Sequence, residues 1–268
     1  MFKRKILSKL EAWKRDERHK PLILRGARQV GKTTVVNEFG SQFDNYLYFN
    51  LEMNESVRLF EMDIPLNDLV NMLFASLGKS QREGSTLIFI DEIQNSPKTI
   101  ALLRYFYEQR PDLYVIAAGS LLENLVDVNV SFPVGRVMYM ALRPCSFYEF
   151  LGAIGKTNLL AVLSQKPEYT VVFHEQLMHH FNQYTIIGGM PEAVQRYAET
   201  QDIVAIEDVY ETLVQAYKDD SEKYVRGNKL IEVVRFILSY GWGFSGETIT
   251  LGNFANSGYK SREVGEAF

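Results

Sequence analysis

The sequence has 268 residues, of which 46% are hydrophobic and 23% are charged, and its formal net charge is −4. This length is enough for one large or two small domains with a substantial core, and the acidic balance argues against a protein that coats nucleic acid by bulk charge. One cysteine and no apolar run near the roughly 18 residues of a membrane helix predict a cytoplasmic protein with no disulfide and no membrane partner.

The N-terminal segment is basic, but its apolar residues recur at helical spacing. Phe2, Ile6, Leu10 and Trp13 would share one face of a helix. The segment lacks the apolar stretch and small-residue cleavage site of a signal peptide. We therefore expect a helix packed against the rest of the protein.

Strand-like and helix-like runs alternate over the next part of the chain. Apolar runs predict strands at 21–25, 46–51, 86–90, 114–118 and 137–142. Helical patterns lie between them, at 33–39, at 54–77 with a break near Pro65, and from Pro97 to Tyr107. Continuously apolar strands alternating with helices predict an α/β protein with a parallel sheet that is covered on both faces.

A glycine-bounded loop follows the first predicted strand. It matches the pattern G-x-x-x-x-G-K-[ST] at every fixed position, through Gly26, Ala27, Arg28, Gln29, Val30, Gly31, Lys32 and Thr33, with Thr34 next. Glycines allow successive backbone N–H groups to face phosphate oxygens, and the following helix adds its positive end. Lys32 would then contact the β- and γ-phosphates of a nucleotide, and the Thr33 hydroxyl would bind Mg²⁺.

The strand at 86–90 is followed by two carboxylates, Asp91 and Glu92. Ligands of open parallel sheets bind at the carboxyl ends of strands. Asp91 is placed to hold Mg²⁺, and Glu92 is placed to accept a proton from an attacking water. A general base here favours hydrolysis over transfer to a second substrate.

With these motifs the chain resembles AAA+ ATPases, whose P-loop sheets have an additional strand between the phosphate-loop strand and the Mg²⁺-binding strand. More narrowly, it resembles a bacterial and archaeal group that pairs an N-terminal AAA domain with a C-terminal nuclease-like domain of unknown function. The resemblance extends from about Lys5 to about Tyr197 and is looser beyond. The matching stretches are Arg25–Thr34, Phe89–Gln94, Ala118–Ser120, Pro133–Arg136, Arg143–Phe150 and Gly188–Val194.

The resemblance implies roles for three further residues. Ser120 would be the sensor that contacts the γ-phosphate or water, although it also suits a helix N-cap. Arg136 would be an arginine finger toward the ATP of a neighbouring subunit in a homo-oligomer, although a surface ion pair explains it as well. Pro191, after Gly188-Gly189-Met190, would contact adenine, although proline also starts helices.

We therefore predict three regions: a P-loop ATPase α/β core at 1–144, a helical lid at 145–220 and a winged-helix-like segment at 221–268. The last segment would bind DNA or serve as a packing module. Its candidate recognition helix carries Lys260 and Arg262 but also two glutamates, which is weak support for phosphate binding. The chain ends inside an uncapped helical pattern, so we expect it to belong to a longer protein.

The predicted function is Mg²⁺-dependent binding and hydrolysis of ATP. Two alternatives remain. The protein could be a nucleotide-dependent switch with little turnover of its own, or it could be the ATPase part of a nuclease-linked DNA-processing protein.

Overall fold

The computed structural model describes residues 2–81, 83–119, 133, 135–165, 167–224, 228–244, 248 and 250. The chain divides into two compact units, Met1–Glu199 and Thr200–Phe268, which we describe separately. The predicted boundaries at 144 and 220 stay predictions.

The first unit is built on a sheet of five parallel strands. Its order is β2-β3-β4-β1-β5, so β4 lies between β1 and β3. The strands are β1 (Leu22–Arg25), β2 (Asn45–Asn50), β3 (Thr86–Asp91), β4 (Leu113–Gly119) and β5 (Met138–Ala141). The predicted parallel α/β sheet is confirmed.

Helices precede or connect these strands. They are α1 (Ile6–Arg15), α2 (Lys32–Gly40), α3 (Asn54–Phe60), α4 (Leu66–Ser76) and α5 (Pro97–Gln109), with a short 3-10 turn at Ile93–Asn95. Pro65 separates α3 from α4 and immediately precedes α4. Helix α1 buries Ile6, Leu7, Leu10 and Trp13, as their spacing predicted, whereas Phe2 lies before the helix and is only partly buried.

Alternate residues of the buried strands point into two separate cores, because side chains along a strand face opposite sides of the sheet. Leu22, Leu24 and Phe89 pack with α1 and α2 on one face. Ile23 and Ile88 pack with α3, α4 and α5 on the other. Both faces of the sheet are therefore covered, as the apolar strands predicted.

A helical region follows β5 within the same unit. It comprises α6 (Phe147–Ala153), α7 (Thr157–Leu163), α8 (Pro167–Thr170), a 3-10 turn at Val171–Phe173, α9 (His174–Ile187) and α10 (Pro191–Thr200). Leu151, Leu159 and Leu177 form a small core of its own.

The second unit contains a 3-10 turn at Val204–Ile206, α11 (Glu207–Tyr224), α12 (Asn228–Tyr240) and a 3-10 turn at Gly241–Phe244. Helices α11 and α12 contact each other. Most of the predicted winged-helix-like segment, including Lys260 and Arg262, lies outside the described residues. Among the described helices, none combines the length and apolarity that crossing a bilayer requires.

Candidate functional site

The glycine-bounded loop lies at the carboxyl edge of the sheet, between the end of β1 and the start of α2. A side chain at Gly26 would collide with the carbonyl oxygen of Leu142, just past β5. Gly31 has a φ of +88° and occupies the N-cap of α2, a conformation that favours glycine. The local backbone geometry therefore explains why glycine occupies both fixed positions of the motif.

The Lys32 side chain folds back over this loop. Its Nζ donates hydrogen bonds to the carbonyl oxygens of Gly26 (2.8 Å) and Ala27 (2.9 Å). Burial lowers the pKa of Lys32, while the nearby carboxylates of Glu92 and Asp91 oppose that shift. The Lys32 ammonium group is therefore held at the loop by two carbonyl groups, which phosphate oxygens could replace.

The Thr33 hydroxyl donates a 2.6 Å hydrogen bond to Oδ2 of Asp91. Asp91 ends β3 and is 3% exposed. Burial raises the pKa of Asp91, and the neighbouring Glu92 raises it further, whereas the Thr33 hydrogen bond lowers it. Hydroxyl and carboxylate oxygens are the ligands that Mg²⁺ prefers, so this pair fits the ion.

Glu92 follows Asp91 in a left-handed backbone conformation, with a φ of 53°. Its backbone N–H donates to Oδ1 of Asp91 (3.1 Å), and Nε2 of Gln94 donates to its Oε2. A left-handed conformation in a non-glycine residue carries strain that is typical of functional sites. Here it turns the chain directly after the buried strand, and the Glu92 side chain lines a cavity.

That cavity has a volume of about 690 Å³. Its walls include most of the sequence-predicted binding residues, namely Arg28, Gln29, Gly31, Lys32, Thr33, Thr34, Glu92 and Pro191. Phe2 and the α10 residues Glu192 and Gln195 complete one side. Val30, by contrast, is fully buried in the core, and Asp91 lies behind Thr33. A volume of this size suits a small-molecule ligand.

Three further predicted residues do not line this cavity in the described structure: Gly26 and Ala27, whose carbonyl groups bind Lys32, and Arg136. Ser120 lies outside the described residues. Arg136 precedes β5, so it lies toward the amino edge of the parallel sheet, and its Nε forms an ion pair with Oε1 of Glu108 at 3.1 Å. The arginine-finger role stays a prediction, and it would require this pair to open.

Sequence reasoning missed several residues at or near the site, among them Gln94, Arg4, Glu149 and the cavity-lining Phe2, Glu38, Glu192 and Gln195. Gln94 contacts Glu92, and the guanidinium of Arg4 contacts both the loop and Glu149 on α6. The spacing of Ser146 and Glu149 is that of a capping box, a signal that could have located Glu149. Arg4 is one basic residue among many in the N-terminal segment, so the sequence carries no comparable signal for it.

An all-parallel sheet with one strand between β1 and β3, and a glycine-bounded loop leading into α2, defines a P-loop NTPase of the additional-strand type. A family model described as an AAA domain matches residues 18–151, which is half of the chain. The chain therefore belongs to the AAA domain family and is a nucleotide-binding protein of the ATPase type. Residues 178–268 match a domain of unknown function (DUF8612).

The solved structures to which the chain is similar include PCH-2 from C. elegans, at 13% identity and a TM-score of 0.42, with 78% of this chain and 68% of that chain covered. Another is Drosophila ORC bound to DNA, at 12% identity and a TM-score of 0.35, with 52% of this chain and 87% of that chain covered. No curated protein shows a significant match to the chain.

Proposed function

We propose that the chain binds ATP with Mg²⁺ in the cavity and hydrolyses it. One observation carries the proposal. The buried carboxylate of Asp91 lies 2.6 Å from the Thr33 hydroxyl, beside Lys32, and both Thr33 and Glu92 line the cavity. A candidate Mg²⁺-binding pair, a candidate phosphate-binding cation and a candidate base thus lie together at the carboxyl edge of the sheet.

The loop would bind the phosphates. Its backbone N–H groups and the N-terminus of α2 supply positive potential to the β- and γ-phosphate oxygens. Lys32 would exchange its two carbonyl partners, Gly26 and Ala27, for phosphate oxygens. Hydrogen bonds between charged groups are stronger than those to neutral carbonyls, so this exchange favours the bound state.

Thr33 and Asp91 would hold Mg²⁺. A cation beside Asp91 would stabilise its ionised form, which burial and Glu92 disfavour in the chain alone. When bound, the ion supplies charge neutralisation on the phosphate oxygens.

Glu92 would act as the general base. Its carboxylate accepts a proton from water as the water oxygen bonds to the γ-phosphorus and the bond to the β–γ bridging oxygen breaks, which yields ADP and phosphate. Gln94 donates to Oε2 of Glu92 and would orient the carboxylate.

The base of the nucleotide would lie toward Phe2 and Pro191, which also line the cavity. An aromatic ring and a proline offer apolar contact to a flat ring. The guanine-reading pattern Asn-Lys-x-Asp is not completed at Asn228-Lys229, which favours ATP over GTP.

The test compares Glu92→Gln with Glu38→Gln, which removes another carboxylate that lines the same cavity. Wild type should hydrolyse ATP only with Mg²⁺. Glu92→Gln should bind ATP with similar affinity but lose turnover by about 10²-fold or more, because the base is gone. Glu38→Gln should hydrolyse ATP at nearly the wild-type rate.

The readouts are ATP turnover and the Kd for ATP. Absence of ATP binding by wild type would contradict the whole proposal. Binding without turnover by wild type would contradict hydrolysis and favour the nucleotide-dependent switch. Turnover that rises on addition of duplex DNA would favour the DNA-processing alternative.

A further inference from the structure

Arg4 is a buried arginine whose guanidinium lies between three segments of the first unit. The residue is 6% exposed. Its Nε donates to Oε1 of Glu149 (3.0 Å), its Nη1 to the carbonyl oxygen of Val30 (3.0 Å) and its Nη2 to the carbonyl oxygen of Arg143 (2.7 Å). Each nitrogen of the fork therefore binds a different part of the chain.

The first of these segments is the phosphate loop. Val30 directly precedes Gly31, and a Cβ built on Gly31 would lie 3.6 Å from Nη1 of Arg4 and 3.9 Å from Cγ of Pro191. Arg4 and Pro191 thus approach the same glycine from the N-terminal segment and from α10. Arg4 and Pro191 therefore lie next to the phosphate loop at the point where α2 begins.

The other two segments lead into the helical region. Arg143 lies between β5 and α6, and Glu149 lies in the first turn of α6. The second carboxylate oxygen of Glu149 accepts from the backbone N–H (2.8 Å) and hydroxyl (3.0 Å) of Ser146. Arg4 therefore binds Glu149, the third helical residue of the α6 capping box, and residues 142–146 between β5 and α6, which we call the link.

The same link is bonded to the turn before Pro191. The Cys145 N–H donates to the carbonyl oxygen of Gly189 (2.6 Å), and the Tyr184 hydroxyl donates to the carbonyl oxygen of Cys145 (2.7 Å). A continuous set of hydrogen bonds therefore runs from Val30 through Arg4 and the link to the turn that carries Pro191 into the cavity.

We propose that Arg4 is a positioning residue that couples the phosphate loop to the helical region, so that the loop and the Pro191 turn adopt their binding positions together. The proposal rests on the proposed function only for the identity of the ligand. A lysine could keep the charge next to Glu149, but its single nitrogen cannot reach three acceptors that lie in different directions. Arginine is thus required by the geometry rather than by the charge.

The test compares wild type with Arg4→Lys and with the control Lys3→Gln, which removes an exposed charge one residue away. The first readout is amide hydrogen exchange of the nucleotide-free protein. In Arg4→Lys we expect exchange to rise several-fold in both the loop at 27–31 and the turn at 188–190, because both lose the same anchor. Lys3→Gln should match wild type in both.

The second readout separates positioning from general stability. Arg4→Lys should still unfold cooperatively, with a thermal midpoint lowered by several degrees at most, while the KM for ATP rises about tenfold and kcat changes less, because ground-state binding loses its preorganised loop. If Arg4→Lys does not fold, Glu149→Gln, which leaves Arg4 and its two carbonyl partners in place, serves instead and should raise exchange at the turn more than at the loop.

Exchange that rises in one segment alone in Arg4→Lys, or that matches Lys3→Gln, would overturn the coupling. In Glu149→Gln, exchange that rises at the turn with no rise at the loop would also overturn it. These comparisons need no nucleotide, so they decide the role of Arg4 even if wild type binds no ATP, a result that would contradict the proposed function alone.

Discussion

At the scale of single residues, the polar side chains of the candidate site form hydrogen bonds within the protein. A bound ligand would replace these hydrogen-bond partners. Thr33 bonds directly to Asp91, and Lys32 bonds to two loop carbonyls. A buried polar group without a partner costs about 1–3 kcal/mol, so these internal bonds stabilise the chain before any ligand arrives. The same atoms would be the first to change partners on binding.

Thr33 tests the proposed metal site without altering the loop glycines. Thr33→Ala removes the hydroxyl that would bind Mg²⁺, so half-maximal ATP turnover should require at least about tenfold more Mg²⁺. Thr33→Ser keeps the hydroxyl and should need a concentration close to that of wild type. The measurement is ATP turnover against Mg²⁺ concentration, and identical curves for Thr33→Ala and wild type would contradict the assignment.

Residues that belong to a local pattern could be assigned to the candidate site from the sequence, whereas those that distant contacts bring to it could not. The loop from Gly26 to Thr33 and the pair Asp91 and Glu92 carry spacings that follow from phosphate and metal chemistry. Arg4 contacts Glu149 across 145 positions of sequence. Nothing in either neighbourhood indicates that contact, because it is created only when β5 returns beside β1.

At the scale of elements, helix ends shape the site as much as the strands do. Helix α2 begins at Lys32 with Gly31 as its N-cap, and α10 begins at Pro191, so two helix starts face the cavity. Helix α6 begins with a complete capping box formed by Ser146 and Glu149. The first residues of α2, α6 and α10 therefore directly follow the phosphate loop, the link and the Pro191 turn, respectively.

The capping carboxylate of α6 gives a pH dependence with a defined sign. Burial alone would raise the pKa of Glu149, but hydrogen bonds from the N–H groups of Ser146 and Lys5 and from Arg4 outweigh it, so the pKa is lowered. A lowered pKa contributes stability above the unfolded value of about 4.3, and this stability is lost as the pH falls through the folded value.

Glu149→Gln should therefore reduce the free energy of unfolding by about 2 kcal/mol at pH 7, and the difference from wild type should shrink as the pH falls below 4. Chemical denaturation at several pH values measures this difference. Glu175→Gln, at an exposed carboxylate in the first turn of α9, is the control and should change little. A difference that stays constant with pH would contradict the assignment of Glu149.

At the scale of the whole molecule, the strand order could be anticipated only in part. Apolar runs separated by helices predict a parallel sheet, and the observed order places β4 between β1 and β3. Periodicity identifies strands and their buried faces, but it does not say which strands are neighbours. The order depends on how the helices between strands pack on the two faces.

Ligand binding should stabilise the unit that contains the cavity. The lining residues run from Phe2 to Gln195, all within Met1–Glu199. With Mg²⁺ and ATP at about a hundred times the Kd, the thermal midpoint should rise by about 5–10 °C. Differential scanning calorimetry measures this rise, and Lys32→Ala, which lacks the phosphate-binding cation, should show almost none. An equal rise in both proteins would place the nucleotide elsewhere.

The link between β5 and α6 also holds the chain's one cysteine. Burial raises the pKa of the Cys145 thiol to about 11, so almost none of it is the reactive thiolate at neutral pH. A thiol-specific reagent therefore reacts at this position only when the link separates from the Gly189 turn and from Tyr184. Because Cys145 is the one cysteine of the sequence, the rate at which it is labelled would measure how often the link separates from the Gly189 turn.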